Sequence, residues 1–327
     1  MATVSTIKTY NVSKSIREDL ANIIYNISPT LTPFMNNVGR DTADSTYTEW
    51  QTDQLAAPNL SNAVVEGADA GDTDYTPTNR VANYLQISNK VVSTSGTSSA
   101  VNTAGMSTVM AYEQAKKSKE LKRDMESILL NNQAAVAGNS TTARKTAGLP
   151  AWLRTNSIAN GLTKPTMSGG VSNPDDGYPN AGWTGSATAV AFTEDMLKDA
   201  IQNVWAQGGD PKVLMVGPHN KRVASTFAGL AQQRIQYNNV APLKIIATAD
   251  VYLSDFGEVA IVPNRFQPDN FAFVLDPNFA RVSYLRSFQT IDIAKTGDSQ
   301  KKEILVEYTL KVNTEKAHAA IANLTTT

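Results

Sequence analysis

The chain has 327 residues, 41% of them hydrophobic and 18% charged, with 29 Lys and Arg against 30 Asp and Glu for a formal net charge of -1. That composition is too apolar for a disordered chain, and no run approaches the roughly 18 apolar residues needed to span a bilayer. The absence of cysteine excludes disulfides, thiolate nucleophiles and cysteine-ligated metals. The balanced charge argues against a protein that grips DNA, because that affinity scales with the number of phosphates neutralised.

The N-terminus, MATVSTIKTYNVSKSIRE, lacks the apolar segment of a secretory signal. Ile16, Leu20, Ile23, Ile24 and Ile27 then recur at helical spacing behind Ser15 as N-cap. Ser28-Pro29, Pro33 and Gly39 punctuate the next stretch of chain. A short strand is expected over 46–53. A second is expected over 80–92, with Val81, Leu85, Ile87 and Val91 on one face and Arg80, Gln86, Ser88 and Lys90 on the other. The two strands can pair as a hairpin across the polar stretch 55–78. A loop of that length inside a compact domain calls for a functional reason.

A long helix is predicted over 103–132, about 45 Å at 1.5 Å per residue. Its apolar stripe is Ala111, Ala115, Ser118, Leu121, Met125, Ile128 and Leu129. Lys116, Lys117, Lys119, Lys122 and Arg123 on this helix are interleaved with Glu113, Glu120, Asp124 and Glu126. That alternation describes a solvated, ion-paired face rather than a nucleic-acid patch. Residues 133–190, rich in Gly and carrying Trp152 and Trp183, are expected as surface loops and short strands. From Phe192 an α/β alternation begins. The helix EDMLKDAIQNVWAQ, capped by Thr193 and ended by Gly208-Gly209, leads into the strand KVLMV. Gly217-Pro218 opens a second helix, and strands LKIIAT, DVYLSD, EVAIVP and FAFVL come after it. The chain closes on ARVSYLRSFQTIDI, a turn, and EILVEYTLKVN. In the last strand Ile304, Val306, Tyr308, Leu310 and Val312 mark a buried face, and Glu303, Glu307, Thr309 and Lys311 a wet one.

Catalytic chemistry finds no foothold. His219 and His318 stand alone, without a second His or a carboxylate at metal-ligand spacing. Asp69, Asp72 and Asp74 do not make a calcium loop, because the glycine and closing glutamate that such a loop requires are missing. There is no phosphate loop, dinucleotide fingerprint or nucleophile elbow. No catalytic residue, cofactor or metal is assigned.

Three strings do carry a specific likeness: NISPTLTPFMNNVGR over 26–40, TEWQTDQLAAP over 48–58 and NAVVEGADA over 62–70. In this order they resemble the major head proteins of a family of tailed, mainly short-tailed, bacteriophages; beyond about residues 16–92 the resemblance rests on element order. It implies an α+β chain with the Hong Kong 97-like capsid fold: an N-arm, an extended hairpin called the E-loop, a P-domain of spine helix and antiparallel sheet, and an A-domain. On this chain those parts are expected as N-arm 1–45, E-loop and stems 46–92, P-domain helix and insertion 93–190, A-domain 191–280 and returning P-domain strands 281–327.

The resemblance further implies a non-enzymatic bacteriophage major capsid protein, assembled in the host bacterial cytoplasm. Homo-oligomeric hexamers and pentamers would build an icosahedral virion shell around double-stranded DNA, with no specific DNA binding and no membrane. A portal protein and a separate scaffolding protein are its expected partners, and a cement protein is an optional third. Some relatives of the fold join Lys to Asn covalently; Lys90 and Asn83 are near the stem, but nothing selects them and no crosslink is expected. Candidate intersubunit contacts are Trp50, Gln54, Leu55, Leu60, Val64, Val65 and Glu66 in the E-loop, and Phe34 and Ile23 in the N-arm. The competing readings are a decoration or tail protein that adheres through the Trp-bearing 133–190 region, and an enzyme with a site near Gly217–His219.

Overall fold

The structure is a computed structural model that describes residues 31–71, 77–101, 106, 108–170, 174–227 and 251–326. The helix expected over 16–27, Ile23 within it, and the strand expected over 243–248 lie outside the described residues.

A one-turn helix α1 (Pro33–Asn37) leads into β1 (Gly39–Thr42). The expected hairpin is present: β2 (Tyr47–Thr52) pairs antiparallel with β3 (Asn79–Tyr84), Trp50 opposite Val81. The strand expected over 80–92 is two strands, because the chain changes sheets at the fully buried Leu85. Beyond it β4 (Gln86–Ser95) pairs with a different partner. The change of partner reverses which parity faces inward. Val92 and Thr94 are buried, whereas Ile87 and Val91, expected on the same face as Val81 and Leu85, are exposed.

A short helix α2 (Gly96–Ala100) precedes the long helix α3, which runs Val109–Leu130. At 22 residues it spans about 33 Å rather than 45 Å. Its C-terminal half is core: Leu121, Met125, Leu129 and Leu130 are essentially fully buried, each stabilising by about 1.5–3 kcal/mol. Ala111 and Ala115, expected on that stripe, are exposed, since nothing packs on that side of the N-terminal half.

The 133–190 region is a lining and not a surface. Helix α4 (Leu149–Trp152) is buried throughout, and the small hairpin β5 (Thr166–Met167) and β6 (Pro179–Ala181) comes after it. Trp152 is 2% exposed and Trp183 5%, so neither is available as an adhesive residue. Trp183 donates from Nε1 to the Pro150 carbonyl at 2.9 Å. The side chain of Asn132 holds both the N–H and the carbonyl of Trp183 at 2.8 Å.

The α/β unit keeps the expected order. Helix α5 (Glu194–Ala206) has the Thr193 hydroxyl accepting from the Met196 N–H and ends at Gly208 in the left-handed region, φ 88°. Next come β7 (Val213–Val216), α6 (Pro218–Ala224), β8 (Val251–Ser254), β9 (Gly257–Pro263) and β10 (Ala272–Leu275). The chain returns through β11 (Ala280–Ile293), β12 (Ser299–Val312) and β13 (Ala319–Ile321).

Two sheets organise these elements. One has the order β1-β11-β12-β4, with β1 parallel to β11 and the other pairs antiparallel. The second has the order β13-β10-β7-β9-β8. Strands β7 and β10 are buried at every position, which their unbroken apolar runs require. One face of this sheet packs on α5 through Leu214, Val216 and Val274. The other, through Met215, Phe273 and Leu275, joins the core of α3, α4 and β12. The shared sheet therefore couples the two cores.

The wet face expected on β12 is wet only at its ends. Glu307 is 2% exposed and Thr309 fully buried, because residues 144–147 fold across them. Arg144 Nη2 donates to Glu307 at 2.7 Å and Arg286 Nε at 2.8 Å, so the carboxylate is flanked by two guanidiniums. Asn83, also fully buried, donates to the Leu310 carbonyl at 2.7 Å and accepts from the Ala147 N–H at 2.9 Å.

Candidate assembly surfaces

The β2–β3 hairpin stem is fastened by several independent contacts. Trp50 is half-buried, its ring 5.4 Å from that of Trp152, and its Nε1 donates to the Val312 carbonyl at 3.1 Å. Tyr47, Tyr84 and Tyr178 form a ring cluster with centroids 4.6–6.4 Å apart. Glu49 and Arg80 pair across the hairpin. The Arg80 N–H donates to Asp176 at 2.7 Å, and Gly177 bridges the Arg80 carbonyl and the Ala82 N–H at 2.8 Å each. A pinned stem of this kind gives whatever it carries a defined direction.

The loop on that stem is uncovered. From Asp53 to Gly71 every residue is exposed. Leu60 is 97% exposed, Leu55 94%, Val64 85% and Val65 80%, and Glu66 lies beside them. Isolated exposed aliphatics are ordinary, but four on one loop with nothing of their own chain against them mark an interaction surface. Gln54, at the base, accepts a hydrogen bond from Lys316. Beneath the stem is a cleft of about 130 Å³, lined in part by Trp152, Arg154, Asp175, Glu315 and Lys316. Its charges are mutually paired: Arg154 with Asp175 and Glu315, Lys316 with Asp175.

Phe34, expected in an intersubunit contact, is fully buried in its own subunit. Its neighbourhood holds a residue that sequence reasoning placed wrongly. Glu126 sits on the inner side of α3, fully buried. It accepts from the Phe34 N–H at 2.6 Å, the Met35 N–H at 3.0 Å and Asn264 Nδ2 at 2.7 Å. Burial raises its pKa, opposed by these three donors. The carboxylate supplies acceptors for the first turn of α1, which has no side-chain cap of its own. The signal was present: position 126 lies one residue from Met125 and three and four from Leu129 and Leu130, inside the apolar arc. Likewise Asn83 stands in the inward register of β3, between Val81 and Leu85.

The other candidates stay apart. His318 is buried near Asp276, whose N–H donates to its Nδ1 at 3.2 Å. His219 lies at the start of the seven-residue α6. Among the described residues no group of three or more His, Asp or Glu could hold a metal ion, and no helix is long and apolar enough to cross a membrane. Lys90 pairs with Asp124 at 2.6 Å.

Known proteins place this architecture. The major capsid protein of Escherichia phage Phieco32 is 29% identical over 321 residues, 89% of each chain. The capsid asymmetric unit of cyanophage A-1(L) has the same fold, with a TM-score of 0.66 at 14% identity over 98% of this chain and 100% of that one. The capsid of a native GTA particle gives 0.63 at 9% identity over 99% and 100%. A sequence profile described as SU10 major capsid protein matches residues 3–325. With its pinned hairpin, long helix and two coupled sheets in the Hong Kong 97-like arrangement, the chain belongs to the SU10 major capsid protein family of phage shell proteins.

Proposed function

We propose that the chain builds an icosahedral head from hexamers and pentamers enclosing double-stranded DNA. The observation that carries this is the stapled β2–β3 stem presenting four aliphatic side chains at 80–97% exposure, a surface its own subunit leaves uncovered. A shell held by many modest repeated contacts needs such arms, because multivalency multiplies weak affinities.

In this reading residues 46–92 are the E-loop and its stems, 1–45 the N-arm, 93–190 and 281–327 the P-domain, and 191–280 the A-domain. Leu55, Leu60, Val64, Val65 and Glu66 touch a neighbouring subunit, and Gln54 and Trp50 set the angle of approach. Phe34 supports the arm from within. The near-neutral charge suits a container that holds DNA without specific binding. A portal protein at one vertex, a separate scaffolding protein and a cement protein are partners of such a shell. The burial of Trp152 and Trp183 removes the feature that favoured an adhesive decoration or tail protein.

The test is expression of the chain alone and with its phage's scaffolding protein, with both preparations viewed by negative-stain microscopy. Closed shells with capsomers of both symmetries are expected; soluble monomers in both preparations would refute the proposal.

A further inference from the structure

Charge decides which surface of a neighbour receives the β2–β3 loop. Between Asp53 and Asn79 the chain has five carboxylates (Asp53, Glu66, Asp69, Asp72, Asp74) and no Lys, Arg or His. Such a segment is repelled by acidic surfaces and attracted to basic ones. Doubled back on itself, it reaches about 40 Å at 3.3 Å per residue, enough to cross a neighbouring domain.

Two faces of the P-domain region are uncovered. The outer face of the β11-β12-β4 sheet shows Ile87, Val91, Ile291 and Ile293, each 37–49% exposed. In register between Val91 and Ile291 stands Glu303, so this face has no net attraction for an acidic loop. The outward side of α3 differs. Ala111, Ala115, Lys116, Lys119 and Lys122 are exposed there at helical spacing. The carboxylates at its margins are already engaged: Glu113 with Lys116, Glu120 with Lys117 and Asp124 with Lys90. Lys119 has no ion-pair partner among the described residues, and Lys122 lies over the Phe288 ring at 5.7 Å. The two alanines leave room for a backbone to approach, and the lysine stems provide apolar cover for aliphatic side chains.

We propose that the β2–β3 loop of one subunit lies along the Ala111–Lys122 face of α3 in a second copy, with Glu66 and Asp69 facing Lys119 and Lys122. This rests on the reading that the loop is the intersubunit arm. The contact is heterologous, loop to helix, and so leaves each subunit with a free loop or a free helix face until a ring closes.

Charge reversal tests it. K119E/K122E and E66K/D69K should each lower the yield of shells, in co-expression with the scaffolding protein, about tenfold, the effect of roughly 1.4 kcal/mol at an interface. The melting temperature of the unassembled subunit should not change, because all four side chains are exposed. The quadruple variant should recover to within about threefold of the parent. Failure of the quadruple variant to recover, or normal shells from both double variants, overturns the proposal. So does a K119E/K122E variant that assembles normally but retains less DNA, which would assign the helix face to nucleic acid.

The cysteine-free chain allows a second readout. A Val64→Cys subunit mixed with a Lys119→Cys subunit should give an oxidised dimer. If Val64→Cys instead couples to Val91→Cys, the aliphatic sheet face is the receiver; the proposal then fails while the intersubunit reading stands. Normal shells from a chain lacking residues 55–69 would remove that reading as well.

Discussion

Glu126 offers the sharpest test of how the N-terminal segment is held to the long helix. Replacing it by Ala leaves three buried donors without an acceptor: the N–H groups of Phe34 and Met35 and the amide of Asn264, now at 2.6, 3.0 and 2.7 Å from the carboxylate. Each orphaned buried donor costs about 1–3 kcal/mol. Removing the carboxylate returns part of the penalty for burying a charge, and the three losses are not additive. The net expectation is about 3 kcal/mol, in line with breaking a buried charged contact. The assay is urea denaturation of the unassembled subunit at pH 7, with limited proteolysis around residues 31–38 as a local readout. The Ala variant should lose both global stability and protection of that segment.

The pH dependence gives an independent sign. A carboxyl whose pKa is raised by burial binds its proton more tightly in the folded state. Its contribution is therefore fully present below the unfolded value of 4.5 and declines as pH rises through the folded value. Glu126→Gln abolishes that decline. A loss below about 1 kcal/mol for Glu126→Ala, with unchanged proteolysis, would show that the carboxylate's desolvation cancels its hydrogen bonds, and the clasp would contribute nothing.

His318 has the opposite sign. Burial pushes it down from 6.5 to about 4, so the folded state favours the neutral ring and stability is lost as pH falls through the window from 6.5 to 4. At 1.36 kcal/mol per unit this is about 3 kcal/mol. His318→Asn, whose amide oxygen can accept from Asp276 in place of Nδ1, should flatten the denaturation midpoint over that range; an unchanged slope would refute the assignment. Trp50→Ala removes one ring contact and one hydrogen bond of a half-buried side chain, about 1–3 kcal/mol in all. Shell yield should fall by a larger factor than subunit stability, since the stem then no longer sets the loop's direction; equal losses would make Trp50 an ordinary core residue.

Much of the element order was legible in the amino-acid sequence, because local rules decide it. Thr193 with Gly208 bounds α5, the unbroken apolar runs of β7 and β10 require burial on both faces, and the two long returning strands announce themselves by alternation and a turn. The extended loop was legible as an absence, a polar stretch with no core period between two strands that can pair. The resemblance of its three strings to phage head proteins supplied the rest. Tertiary structure alone decided which side chains those elements bury. Val91 faces out because β4 leaves one sheet for another at Leu85. Glu307 is dry because Arg144 and Thr146 arrive from more than 160 positions away. Glu126 is core because α1 lays its first N–H groups on it. Periodicity reports that one face of an element differs from the other. Which distant segment covers that face, and whether it brings hydrophobes or hydrogen-bond donors, is settled only when the chain closes on itself.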